Sequence, residues 1–227
     1  MKILAIETAT EACSAALLID GDIIDRFQIA PRLHGELILP MVDELLSEAG
    51  VSLQNLDALA FGRGPGSFTG VRMATGIIQG LAFATDLPVA PVSTLVALAK
   101  QLSNEAEVKT IYAALDARMG EVYWCEYALE KGDLQAVSKE MVIAPTAVAS
   151  VSTTQAVGIG HGWRTYNDEL LQSLSRPIQK ILPDALPSAK EVAQLATRLV
   201  QNEETVSAEN ALPVYLRDNV AKKKAQQ

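Results

Sequence analysis

The first thirty residues constrain the fold most. Apolar runs from Lys2 to Thr8, Ala12 to Ile19 and Ile23 to Ile29 follow one another, with Asp20-Gly21-Asp22 between the second and third. Runs of this length bounded by turn residues read as strands, and Asp-Gly is hairpin chemistry. Three consecutive antiparallel strands are therefore predicted. From Gly35 to Ala49 the period changes. Leu37, Ile38, Met41, Val42, Leu45, Leu46 and Ala49 recur at helical spacing, and Gly50 ends the run. Pro40 is expected in the first turns of that helix, where its missing N–H costs least.

The same order begins again ~110 residues later, which points to an internal duplication, although residue identity between the halves is low. Lys109 to Asp116 reads as a strand ending in an acidic residue, as Lys2 to Glu7 does. An Arg118-Met119-Gly120 turn leads to a strand from Glu121 to Tyr127, and a third strand is predicted from Leu134 to Ile143. Between the repeats lie a strand at Leu56–Phe61, a helix at Val71–Ala84, a strand at Pro88–Val92 and a helix from Thr94 to Leu102. The polar stretch Ser103–Val108 marks the expected boundary between domains 1–105 and 106–227. The second half continues with a strand at Val157–Gly160, a helix near Trp163–Leu174 and a helix at Ser188–Gln201. Ser188 and Glu191 suit a capping box there. The pattern predicts an α/β fold of mixed sheets flanked by helices, with a reduced second domain and the last helix or tail packing back on the first.

Composition narrows the function. The net charge is −8 and aromatic residues are 5% of the chain. Such a surface repels phosphate backbones and offers few stacking platforms, so any contact with nucleic acid is expected through a partner. Lys222-Lys223-Lys224 is the exception and reads as a solvated terminus. Cys13 and Cys125 stand in apolar strand-like stretches, which suits buried reduced thiols rather than a disulfide framework or zinc site. No signal peptide and no run of ~18 apolar residues is present, so a cytoplasmic protein without a membrane span is expected.

Two features carry potential chemistry. Gly64-Pro65-Gly66-Ser67-Phe68-Thr69-Gly70 lies after a strand and before a helix. Its glycines and helix-start N–H groups suit either an anion, with Gly64, Gly66 and Ser67 as contacts, or a tight strand-to-helix turn. It is neither a P-loop nor a dinucleotide fingerprint. The second feature is the helix that follows it, which is apolar nearly all round, with Gly76 and Gly80 forming a ridge of small residues. Together with the wide apolar face of the first helix, it predicts an interface through Leu37, Met41, Leu45, Met73, Gly76, Ile77 and Gly80. Only His34 and His161 occur, far apart in the chain, so a His-based metal site is not expected and His34 is assigned a structural role.

Four segments then resemble the TsaB (YeaZ) family, part of the actin-like ATPase superfamily and similar to TsaD. They are Ile3–Ala9, Arg32–Pro40, Gly64–Arg72 and Asp116–Tyr123, and Pro213-Val214-Tyr215-Leu216-Arg217 resembles the family's carboxy-terminal ending. The resemblance implies a part in making threonylcarbamoyladenosine at position 37 of tRNAs reading codons that begin with A. It implies that TsaD transfers the threonylcarbamoyl group, that this chain binds and activates TsaD together with the ATPase TsaE, and that the chain forms a homodimer when alone. TsaD-like proteins place two His four residues apart where this chain has Thr94 and Leu98. Glu7, with Thr8 beside it, and Asp116 match positions where kinases of the superfamily hold Mg²⁺ and phosphate. The short second half argues against independent ATP hydrolysis, so ATP or ADP and metal are expected only in the assembled complex. Arg118 is expected to bind a nucleotide or a TsaD carboxylate there. The competing readings are a small ATP-dependent kinase or ATPase and, more remotely, a metallopeptidase.

Overall fold

The computed structural model describes residues 1–150, 155–175 and 177–217, and the Lys222–Lys224 run lies outside them. The first sheet is built from β1 (Lys2–Glu7), β2 (Ala12–Ile19), β3 (Asp22–Ile29), β4 (Ala58–Gly62) and β5 (Val89–Val92) in the order β3-β2-β1-β4-β5. β1 to β3 form antiparallel pairs, while β4 and β5 continue parallel to β1. The second sheet contains β6 (Thr110–Arg118), β7 (Glu121–Glu130), β8 (Asp133–Ala136), β9 (Met141–Ile143), β10 (Ala156–Ile159) and β11 (Ile178–Leu182). Its order is β11-β10-β6-β7-β8, with β9 also paired to β7. From its other edge, it repeats the first sheet strand for strand, with the same antiparallel and parallel pairings. This duplicated α/β arrangement of two mixed sheets agrees with the fold that the resemblance implies.

Two strand predictions need correction. The strand expected over Leu134–Ile143 is two strands, because the Val137 and Ser138 N–H groups both turn to the Glu126 carbonyl and interrupt the ladder. β11 has no counterpart among the expected elements. Its sequence Ile-Gln-Lys-Ile-Leu does not alternate, and its residues are only partly buried at the sheet edge, so periodicity gives no strand signal there.

Five α-helices are described: α1 (His34–Ala49), α2 (Phe68–Thr85), α3 (Thr94–Lys100), α4 (Gly162–Leu174) and α5 (Ala189–Gln201). Gly50 closes α1 in the left-handed region, as its position after the last apolar residue suggests. Pro40 is the seventh residue of α1, in its second turn, so the Glu36 carbonyl loses its usual backbone partner; both residues are exposed, and water can replace it. Ser188 caps α5 by accepting the Lys190 N–H, while its hydroxyl also bonds the Glu191 carboxylate. Among the described residues no α-helix stands between β9 and β10, whereas α1 fills the equivalent place after β3. That is where the second half is reduced.

Strand alternation decides which helix covers which face. Leu4, Ile6, Cys13, Ala15, Leu17, Leu59 and Phe61 pack against α1 and α2. The opposite face is richer in small residues, with Ala5, Ala16, Ala58, Ala60 and Ala90 beside Ile3, Leu18 and Val92, and meets Ala189, Val192, Ala193 and Ala196 of α5. The last helix of the second half thus covers the first sheet. Reciprocally, Leu95, Leu98 and Ala99 of α3 pack on Ile111, Ala113, Leu115 and Cys125 of the second sheet. The outer face of that sheet is closed by α4 through Trp163, Leu170 and Leu174. Each fully buried Leu or Val contributes roughly 1.5–3 kcal/mol. The exchanged helices therefore join the two sheets far more firmly than exposed ion pairs, worth about 0–1 kcal/mol each, could.

Candidate functional site

The glycine-rich loop is shaped by its contact with the β1–β2 turn. The Ser67 N–H donates to the Ala9 carbonyl at 2.7 Å, and the Thr8 hydroxyl donates to the Gly70 carbonyl at 2.7 Å. A Cβ on Gly66 would lie 2.5 Å from the Ala9 carbonyl oxygen, and one on Gly70 would lie 2.0 Å from that of Thr8. Gly64 has φ +95°, and its carbonyl accepts the Thr94 N–H. Ser67 is the N-cap of α2, accepting the Gly70 N–H at 3.0 Å, so the helix begins three residues before the apolar stretch suggests. The N–H groups of Ser67 and Gly70 are thus already bonded within the chain. Replacing Ser67 with Ala should lower stability by about 1 kcal/mol. Chemical denaturation measures this, and an unchanged midpoint would mean the cap contributes nothing.

Glu7 lies beneath this loop. It is fully buried; one carboxylate oxygen accepts the Ala9 N–H at 2.6 Å, and the other accepts the Thr94 hydroxyl at 3.3 Å. Gly62 packs so closely that a Cβ there would stand 1.9 Å from the carboxylate. Burial pushes the Glu7 pKa up to about 7 against the lowering effect of these hydrogen bonds.

Above the loop, a cleft of about 830 Å³ opens between the two sheets, at the carboxyl ends of β1, β4, β6 and β10. Crevices of open α/β sheets form at such strand ends. Of the residues expected at the site, Gly66, Ser67, Asp116 and Arg118 line it. Glu7, Thr8 and Gly64 do not: Glu7 and Thr8 are fully buried beside it, and Gly64 is covered by Val71 and Val214. Glu7 and Asp116, matched at equivalent strand ends, therefore do not face each other across the cleft. Asp116 accepts the Arg118 N–H at 2.8 Å and its guanidinium at 3.1 Å, with the Tyr166 hydroxyl at 3.4 Å. The Arg118 side chain is otherwise 85% exposed.

The cleft also gathers Glu11, His161, Tyr215 and Arg217, none of which the sequence singled out as a site residue. His161 Nδ1 accepts the Asp116 N–H at 2.9 Å, so the neutral ring carries its proton on Nε2, which stands 3.8 Å from Glu11. Burial holds the imidazole below its ordinary range, opposed by Glu11 and Asp116. One signal for His161 exists. Gly160-His161-Gly162 directly follows β10, which sets a glycine-flanked histidine at a strand end beside the cleft. His34 has the structural place expected of it. Its Nε2 stands 3.0 and 3.2 Å from the carbonyls of Thr10 and Ala12, tying α1 to the β1–β2 turn.

A family model described as "TsaD: tRNA N6-adenosine threonylcarbamoyltransferase" matches residues 28–225. The chain is 44% identical to the tRNA threonylcarbamoyladenosine biosynthesis protein TsaB of Escherichia coli (strain K12), covering 99% of this chain and 98% of that protein. It belongs to the TsaB family. TsaB of Haemophilus influenzae (strain ATCC 51907 / DSM 11121 / KW20 / Rd) is 40% identical, over 99% of this chain and 97% of that one. The solved structure of YeaZ from Pseudomonas aeruginosa superposes with a TM-score of 0.88 at 44% identity, covering 95% of this chain and 99% of that chain.

In this TsaB-family chain Thr94 and Leu98, the positions that the resemblance matches to a His pair, are committed elsewhere. Thr94 is fully buried and bonded to Glu7, and Leu98 sits in the core beneath α3. Among the described residues no group of three or more His, Cys, Asp or Glu side chains could hold a metal ion. Cys13 and Cys125 are buried thiols, and burial pushes Cys13 up to about 11, which leaves it protonated and poorly nucleophilic. Among the described residues no helix is long and apolar enough to cross a membrane.

The helix surfaces revise the expected interface. Leu45 is fully buried and Met41 nearly so within this chain's own core, so neither can face a partner. Leu37, Met73 and Ile77 are half-buried, while Gly76 and Gly80 are exposed, and a Cβ at either would meet nothing within 4 Å. Phe83, 88% exposed, continues that stripe one turn further. α2 carries one charged residue, Arg72, whose guanidinium lies 3.1 Å from the centre of the Phe68 ring.

Proposed function

We propose that this chain is a non-catalytic partner in the formation of threonylcarbamoyladenosine at position 37 of tRNAs reading codons that begin with A, binding and activating TsaD together with TsaE. The observation that carries this reading is the nearly full-length similarity to proteins named for that biosynthesis, combined with Thr94 and Leu98 at the positions where TsaD-like proteins carry His. The exposed stripe of Gly76, Gly80 and Phe83, flanked by Leu37, Met73 and Ile77, is the proposed contact with TsaD, and with a second copy when the chain is alone. Glycines there let two helix backbones approach closely. With a net charge of −8, contact with tRNA is proposed to run through the complex. Nucleotide and metal belong, on this reading, to the assembled complex, with Gly66, Ser67, Asp116 and Arg118 at the cleft as contacts. Residues 1–105 and 106–227 are proposed as the two domains, α5 serving the first.

The test is threonylcarbamoyladenosine formation on tRNA with matched TsaD, TsaE and the precursor-making enzyme, with and without this chain. Modification is expected only when the chain is present, and none from the chain alone. Equal modification without it would remove the partner reading. The cleft at the strand ends favours one second reading, a small kinase or ATPase of the same fold. That reading requires tight binding of ATP and Mg²⁺ by the isolated chain, which calorimetry measures.

A further inference from the structure

Residues 211–217 cross the mouth of the cleft from one sheet to the other. On the first-sheet side, Gln79 of α2 donates to the Ala211 carbonyl at 3.1 Å, and the Val214 N–H donates to the Arg63 carbonyl at 2.8 Å. The Tyr215 ring lies 4.9 Å from the Arg72 guanidinium, which is itself stacked on Phe68. On the second-sheet side, Arg217 reaches the β6–β7 hairpin. It bonds the Glu121 carboxylate at 2.5 Å and the Arg118 carbonyl at 3.2 Å, and its other terminal nitrogen lies 3.1 Å from the Met119 sulfur. The hairpin it grips is strained, since Arg118 and Met119 are consecutive non-glycine residues with φ +65° and +57°.

The ties between the two sheets differ in kind with depth. At the base of the cleft, α3 and α5 are exchanged and buried, so that region behaves as one packed body. At the mouth the ties are polar and partly exposed, Arg217 with Glu121 and His161 near Glu11, while Arg63 meets Glu140 at 3.3 Å away from the cleft lining. Packed cores resist deformation, whereas single polar contacts break and re-form readily. Opening the cleft would then pivot on the helix pair and break only the contacts at the mouth.

We infer that residues 211–217 form a clasp, hinged on α2 and released at Arg217, which sets how far the two sheets open. The anchors on α2 and Arg63 are several and include backbone bonds, while the far end depends on one side chain. The clasp also holds the hairpin carrying Arg118 in the cleft wall, so release would change the cleft's width and its charge together.

The test uses the full-length chain with Glu36→Cys and Asp168→Cys for spin labels, diluted with unlabelled protein so that only distances within one chain are read. Both positions are exposed, and native Cys13 and Cys125 are buried. Arg217→Ala should lengthen and broaden the distance distribution and speed amide exchange over residues 118–122 by about tenfold. Glu121→Gln, which keeps the arginine packed, should move both readouts the same way by less. If neither variant changes the distance distribution or the exchange of the hairpin, the clasp is refuted.

Discussion

Replacing Glu7 with Gln should stabilise the protein by about 3 kcal/mol at pH 8 and leave it nearly unchanged at pH 4. The wild-type carboxyl titrates at about 7 when folded and near 4.5 when free. Below pH 4.5 both states hold the proton, and its contribution to folding is fully present. Between pH 4.5 and 7 the unfolded chain releases the proton while the folded chain keeps it, so stability falls as pH rises. Above about 7 the loss is complete. Gln removes that loss, because its amide oxygen can accept the Ala9 N–H and its NH₂ can donate to the Thr94 hydroxyl, which is free to turn. Denaturation midpoints of both proteins from pH 4 to 8 would measure it. Parallel curves would mean that Glu7 titrates normally and is better solvated than its packing under Gly62 and Thr94 indicates.

Gly70→Ala should cost about 3 kcal/mol, even though alanine is the better helix former. The new methyl would stand 2.0 Å from the Thr8 carbonyl oxygen and 2.8 Å from the Ser67 hydroxyl. Backbone cannot yield as the end of a flexible side chain can, so α2 must move away from the β1–β2 turn. That movement sacrifices the Thr8 hydroxyl bond to the Gly70 carbonyl and the Ser67 cap, each worth about 1 kcal/mol. Gly76→Ala, in the same helix with open space around it, should instead gain up to about 1 kcal/mol. Chemical denaturation of the pair separates the two effects. Equal midpoints for Gly70→Ala and the wild type would mean that the loop relaxes freely and that close approach is not why glycine stands there.

The chain's local patterns determined most of its elements, β11 excepted. Runs bounded by Asp-Gly marked β1 to β3, helical spacing ended by Gly50 marked α1, and the strand–turn–strand order repeated after Lys109 matched a sheet of the same topology. These are short-range properties, in which periodicity and turn chemistry act within a few residues. The glycine-rich loop was likewise legible as a strand-to-helix junction, as was the absence of His at Thr94 and Leu98.

The remaining features depend on residues distant in the chain. An apolar stripe states how wide a buried face is, but not which neighbour covers it; Leu45 and Met41 face their own sheet, while Gly76 and Gly80 face outward. The resemblance matched Glu7 and Asp116 to positions where kinases of the superfamily hold Mg²⁺ and phosphate. The close approach of Gly62 and Thr94 instead seals Glu7 away, and Asp116 meets His161, 45 residues on. Nothing local announces that α3 and α5 exchange sheets, or that Arg217 reaches a hairpin almost a hundred residues earlier. Such contacts are set by how whole sheets pack. In this chain the elements come from neighbours along the sequence, and the cleft comes from neighbours in space.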